Sequence, residues 1–203
     1  MQTQCFCMCD TGAAAGCDVV RACLRRVLAY GQTGAGKSWT MSGNEQHPGI
    51  IPRMSSELFK KIDALRAAYE SRGKERHFMV EASFFEIYNE QVFDLLVPKV
   101  GKGKKRPNLM LRETKKKGVY VDGLNELVVK SEKEIADLIR RGNENRSVGS
   151  TSMNAESSRS HSIFTIKINQ REAVEAAGGK EMYVCEAGVT QGSVLFESKP
   201  SRK

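Results

Sequence analysis

At 203 residues, with 40% hydrophobic and 28% charged side chains, the chain has room for one domain with a substantial core. No run approaches the roughly 18 consecutive apolar residues of a membrane span, and the first ten residues lack a basic-then-apolar leader. A membrane or secreted protein is therefore not expected, and cytoplasm is the default location. The net charge of +8 is concentrated. Nine basic residues face one acid, Glu113, between Lys99 and Lys117, which points to an acidic polymer as partner.

Residues 1–17 show no hydrophobic period and read as irregular. Five of the six cysteines lie in the first 23 positions. The spacing Cys5-x-Cys7-x-Cys9 is tighter than that of zinc knuckles, and no histidine precedes His47, so free thiols are expected rather than a metal site. Asp18 to Arg26 could form a short helix. Val27 to Tyr30 is a brief apolar run that reads as a strand leading straight into Gly31-Gln32-Thr33-Gly34-Ala35-Gly36-Lys37-Ser38.

Those eight residues fit G-x-x-x-x-G-K-[ST] without a gap, the pattern of a loop whose backbone N–H groups cradle phosphates. Gly31, Gly34 and Gly36 allow the torsions and close approach that side chains would block. Lys37 supplies a point charge for phosphate oxygens, and the Ser38 hydroxyl is placed to ligate Mg²⁺.

After Lys37 a helix is expected to about Met41, ending near Gly43. Leu58, Ile62, Leu65 and Tyr69 recur at helical spacing, whereas Phe78, Val80, Ala82 and Phe84 alternate as in a strand. A flexible lysine-rich loop lies between Pro98 and Pro107. Leu109–Arg112 and Val119–Val121 flank Lys115–Gly118 and suggest a hairpin with a basic tip. Ser131 and Glu134 match a capping box opening a helix, and Phe164, Ile166 and Ile168 alternate once more. Strands alternating with helices indicate an α/β domain, with a mostly parallel central sheet flanked by helices.

Between the capped helix and the last strand, Asn154-Ala155-Glu156-Ser157-Ser158-Arg159-Ser160-His161 is too polar to build a core and reads as a solvent loop or a site. Taken with the phosphate loop, it resembles the kinesin motor domain. Ala29-Tyr30-Gly31-Gln32-Thr33 looks like that family's lead-in, and Gly49-Ile50-Ile51-Pro52-Arg53 matches the stretch before its next helix. Phe84-Phe85-Glu86-Ile87-Tyr88-Asn89-Glu90 with Asp94-Leu95-Leu96 is similar to a signature strand and its exit. Gly118 to Leu124 looks like the far arm of its hairpin, and Asn154 to His161 fits the switch I motif N-x-x-S-S-R-S-H.

The resemblance divides the chain into a divergent Cys-rich start (1–26), a partial motor domain (27–169) and a divergent tail (170–203). It implies ATP and Mg²⁺ as ligands, hydrolysis coupled to movement, and microtubules as partner, in the cytoskeleton, with no nucleic acid or membrane. Gly31 to Ser38 hold the phosphates, and Trp39 borders the adenine. Ser157 and Ser158 approach the γ-phosphate and the metal shell, Asn154 helps close the loop, Arg159 pairs with a switch II glutamate, and His161 is structural. Lys115, Lys116 and Lys117 are the filament contacts. The family's switch II, D-x-x-G-x-E, occurs nowhere in these 203 residues. The sheet is thus expected to lack edge and central strands, and the alternative reading is a nucleotide- or microtubule-binding remnant without turnover. An unrelated phosphate-loop GTPase is disfavoured, since no N-K-x-D occurs. No segment for oligomerisation, subfamily, direction or cargo is legible.

Overall fold

A period-two run of buried side chains fixes the centre of the fold: Val80, Ala82 and Phe84 lie opposite Ile168, Ile166 and Phe164 on neighbouring strands. The computed structural model describes residues 4–9, 25–32, 34–97, 106–115, 118–147, 160–176, 180–184 and 192–200. In chain order these give β1 (Gln4–Cys9), β2 (Arg25–Gly31), α1 (Lys37–Met41), α2 (Ile50–Glu70), β3 (Arg76–Tyr88) and β4 (Gln91–Asp94). Then follow β5 (Met110–Thr114), β6 (Gly118–Asp122), β7 (Leu127–Val129), α3 (Glu132–Ser147), β8 (His161–Ala176), β9 (Lys180–Val184) and β10 (Gly192–Pro200).

The main sheet has eight strands in the order β1-β2-β10-β8-β3-β4, with β7 also on β3 and β9 also on β8. The α/β class stands, but the sheet is mixed rather than mostly parallel. Among the described residues only β10 and β2 run parallel, and the other pairings are antiparallel. The alternation that made β3 and β8 legible reflects this arrangement, since antiparallel strands can cover one face and leave the other polar. On the opposite face Asn169 donates to Glu81 at 2.9 Å and Lys167 ion-pairs Glu126.

The helices supply the cover. Ile135, Leu138, Ile139 and Gly142 lie along one side of α3, and Ile51, Ser55 and Ile62 along one side of α2, at helical spacing. Gly142 allows the closest approach, because a Cβ there would fall 2.1 Å from the Phe84 ring. Phe84 meets Phe164 edge-on with centroids 5.5 Å apart. The buried Ser55 hydroxyl donates to the Ile51 carbonyl one turn back, at 2.9 Å, and so brings no unpaired donor into the core.

Three local expectations change. Residues 4–9 form a strand, because a run such as Cys5-Phe6-Cys7-Met8 has no polar alternation and so no period to detect. Arg25 and Arg26, expected at a helix end, belong to β2, while 18–24 lie outside the described residues. Helix α2 starts at Ile50, and Pro52 sits in its first turn, where no intrahelical N–H is needed. The capping box holds with one shift. Glu134 N–H donates to Ser131 Oγ at 3.3 Å, but its carboxylate accepts from Lys130 N–H, one residue further back, at 2.7 Å.

The missing central strand is present after all. Strand β10 fills the gap between β2 and β8, pairing Phe196 with Val27 on one side and with Phe164 on the other.

Candidate nucleotide-binding site

The phosphate-loop pattern folds as its residue types require. Strand β2 ends at Gly31, Ala35 N–H donates to the Gln32 carbonyl at 3.1 Å, and α1 begins at Lys37. Gly36 precedes that helix at φ 86°, a left-handed conformation costing about 1–2 kcal/mol for a residue with a Cβ. The Lys37 amine turns back over the loop and donates to the carbonyls of Gly31 at 2.7 Å and Gln32 at 2.8 Å. Ser38 is exposed in the first turn of α1, and Thr40 Oγ1 donates to the Gly36 carbonyl at 3.1 Å. Thr33 lies outside the described residues.

Burial, and then repulsion from the Arg146 guanidinium, hold the Lys37 ammonium below the ordinary lysine value of 10.5. The Arg146 charge, carried by a different element, thus adds to the cost of the Lys37 charge.

Arg146, in the last turn of α3, has a second task. It donates to Ser160 Oγ through Nη2 at 2.9 Å and Nε at 3.2 Å, and to the Ser160 carbonyl at 3.2 Å. Glu86 Oε2 lies 3.6 Å from Arg146 Nε, and Glu86 Oε1 lies 3.9 Å from Arg106 Nη1. Burial holds both guanidinium groups below the ordinary arginine value, and the Glu86 charge offsets only part of that. Arg106 also donates to the Asn145 carbonyl at 2.8 Å, and the Asn145 amide donates to the Leu95 carbonyl at 2.8 Å.

These bonds tie Arg146 to Ser160, which together flank residues 148–159. That stretch, with Asn154, Ser157, Ser158 and Arg159, lies outside the described residues. His161 begins β8 opposite Ile87, half-buried. No pattern in the sequence separates Arg146 from Arg140 or Arg141, which sit on the exposed side of the same helix. Glu86 was visible only as part of the quoted signature strand.

Trp39 is 54% exposed, its ring 6.2 Å from that of His47. His47 is held in a turn in which its own N–H donates to Asn44 Oδ1 at 2.6 Å. Of the three hairpin lysines, Lys115 is exposed at the β5–β6 turn, and Lys116 and Lys117 lie outside the described residues. A separate open cleft of about 510 Å³ lies between α2 and α3, lined by Pro52, Ser56, Lys60, Lys133 and Ala136 among others. It contains none of the sequence-predicted site residues.

A kinesin motor domain family model matches residues 3–189. Human kinesin-like protein KIF13B is 47% identical over 142 residues, covering 70% of this chain and 7% of the relative. The kinesin heavy chain of Botryotinia fuckeliana is 42% identical over 190 residues, covering 87% of this chain and 20% of the relative. Among solved structures, a KIF14 segment with ADP in complex with a microtubule superposes with a TM-score of 0.68 at 36% identity. That match covers 87% of this chain and 46% of the other. A KIF14 dimer with AMP-PNP in complex with a microtubule gives a TM-score of 0.64 at 38% identity, covering 84% of this chain and 43% of that one. The chain belongs to the kinesin motor domain family. It spans under half the length of these solved relatives and a smaller share of the curated ones.

Proposed function

We propose that this chain is part of a microtubule motor that binds ATP between Gly31–Ser38 and the polar segment Asn154–His161. Hydrolysis there drives movement along microtubules in the cytoskeleton. The observation that carries the reading is the loop itself. Its Lys37 amine lies over the Gly31 and Gln32 carbonyls and within electrostatic reach of Arg146, which anchors the return of the polar segment at Ser160.

Lys37 holds the β- and γ-oxygens, and Trp39, exposed on α1, offers its face to the base. Ser157 and Ser158 meet the γ-phosphate, Asn154 closes the segment, and Arg159 stabilises the closed form. Order in that segment then depends on the γ-phosphate. Mg²⁺, when bound, neutralises developing phosphate charge, and Ser38 is the loop hydroxyl that would hold it. Residues 27–169 form the core of this unit. Among the described residues no helix is long and apolar enough to cross a membrane.

A second reading, nucleotide and filament binding without turnover, is favoured by the sequence of β10, which carries no D-x-x-G-x-E. Phosphate release with and without microtubules separates the two. The motor reading expects stimulated release, lost in Lys37→Ala together with ATP affinity, by about tenfold or more for a charged contact. Co-sedimentation with no release in the unaltered chain supports the second reading. ATP affinity unchanged in Lys37→Ala contradicts both.

A further inference from the structure

We propose that Arg106 is a positioning residue of the nucleotide site. It holds the end of α3 and the Glu86 carboxylate so that the Arg146 guanidinium stays on Ser160, and losing that hold weakens the discrimination of ATP from ADP. The inference rests on the function proposed above, in which Ser160 belongs to the polar segment that meets the γ-phosphate. Arg106 acts through Arg146 rather than on the nucleotide.

Arg106 reaches Arg146 by two routes. Its Nη2 donates to the Asn145 carbonyl at 2.8 Å, which fixes the backbone one residue before Arg146. That carbonyl lies in the last turn of α3, where carbonyls lack intrahelical donors and a cation suits the helix dipole. The second route is the Glu86 carboxylate, with Oε1 3.9 Å from Arg106 Nη1 and Oε2 3.6 Å from Arg146 Nε. Arg146 Nε therefore faces two acceptors, because it also donates to Ser160 Oγ at 3.2 Å. A carboxylate is the stronger of the two. Held toward Arg106, Glu86 leaves that bond to Ser160; released, it closes on Nε and draws the guanidinium off the hydroxyl.

Packing alone does not ask for an arginine at this place. The Arg106 side chain is 4% exposed, and its buried Nε has no hydrogen-bond partner among the described residues. A buried guanidinium with an unpaired N–H costs stability that an apolar chain of similar length does not. What the guanidinium adds is two nitrogens aimed at two different partners, the helix carbonyl and the carboxylate. Methionine fills the same space without either contact, and lysine brings one nitrogen to both.

Affinities for ADP and for a non-hydrolysable ATP analogue are measured by titration on the 203-residue chain and its variants. Arg106→Met is expected to lower the ratio of analogue affinity to ADP affinity about fivefold, the low end of coupling between sites, with ADP affinity kept within about twofold. Arg106→Lys is expected to lower the ratio in the same direction, and it carries the comparison if Arg106→Met does not fold. Ser160→Ala removes the hydroxyl for which Glu86 competes, so it should lower the ratio by itself. In that background the Arg106 substitution should change the ratio no further. An unchanged ratio, equal weakening of both nucleotides, or effects of the two sites that simply add overturn this inference and leave the phosphate-loop reading standing. Failure of the unaltered chain to bind either nucleotide overturns both.

Discussion

At the scale of single residues, Lys37 and Arg146 differ in how they announce themselves. Lys37 was legible because a lysine after G-x-x-x-x-G has one common use, and its amine does lie over the loop it follows. Arg146 was illegible because its role depends on Ser160, 14 positions later, and on Glu86, 60 positions earlier, brought together only by the fold. A cation in the last turn of a helix is ordinarily solvated or interacts with the helix end. Arg146 instead anchors a strand start, with its charge largely removed from water. Replacing it by alanine leaves Ser160 and Glu86 without that partner, and breaking such a buried contact costs about 3–5 kcal/mol. Chemical denaturation of Arg146→Ala should show the loss, and Arg140→Ala, on the exposed face, should leave the midpoint nearly where it was. Equal midpoints for both variants would remove Arg146 from the architecture of the site.

Elements were most legible where one face is buried and the other wet. Strand β3, strand β8 and the amphipathic helix α3 all followed their periods, and the Ser131–Glu134 cap marked where α3 begins. Strand β1 was invisible because its residues do not alternate, and β10 because Ser193 to Ser198 carries no family motif to mark its place. The β5–β6 hairpin was read from its two apolar arms. It stands as a separate two-stranded sheet with Met110, Leu111 and Val119 exposed and Lys115 at its turn. Lysines in a hairpin turn make the kind of filament contact that salt screens. Replacing Lys115, Lys116 and Lys117 together by alanine should weaken microtubule co-sedimentation about fivefold at low salt, some 1 kcal/mol. The difference should fade as ionic strength rises. Unchanged pelleting at low salt would take the hairpin out of the filament interface.

Across the whole molecule, the sheet joins segments that are distant in sequence. Strand β2 delivers the phosphate loop, β8 begins where the polar segment returns, and β10 sits between them. The α/β class could be read from alternating elements. The strand directions could not, because the parallel partner of β2 lies more than 160 positions away and nothing local encodes that pairing. The same contrast separates the phosphate loop from the contact of Arg146 with Ser160 and Glu86. The loop is a local motif, whereas the clamp at Ser160 is a meeting of three elements.

Hydrogen exchange with and without a non-hydrolysable ATP analogue tests the meeting of these parts most directly. We expect peptides covering 31–38 and 148–161 to gain protection together, with both gains absent in Lys37→Ala. Protection confined to one of the two segments, or spread evenly over the chain, would contradict a shared nucleotide site.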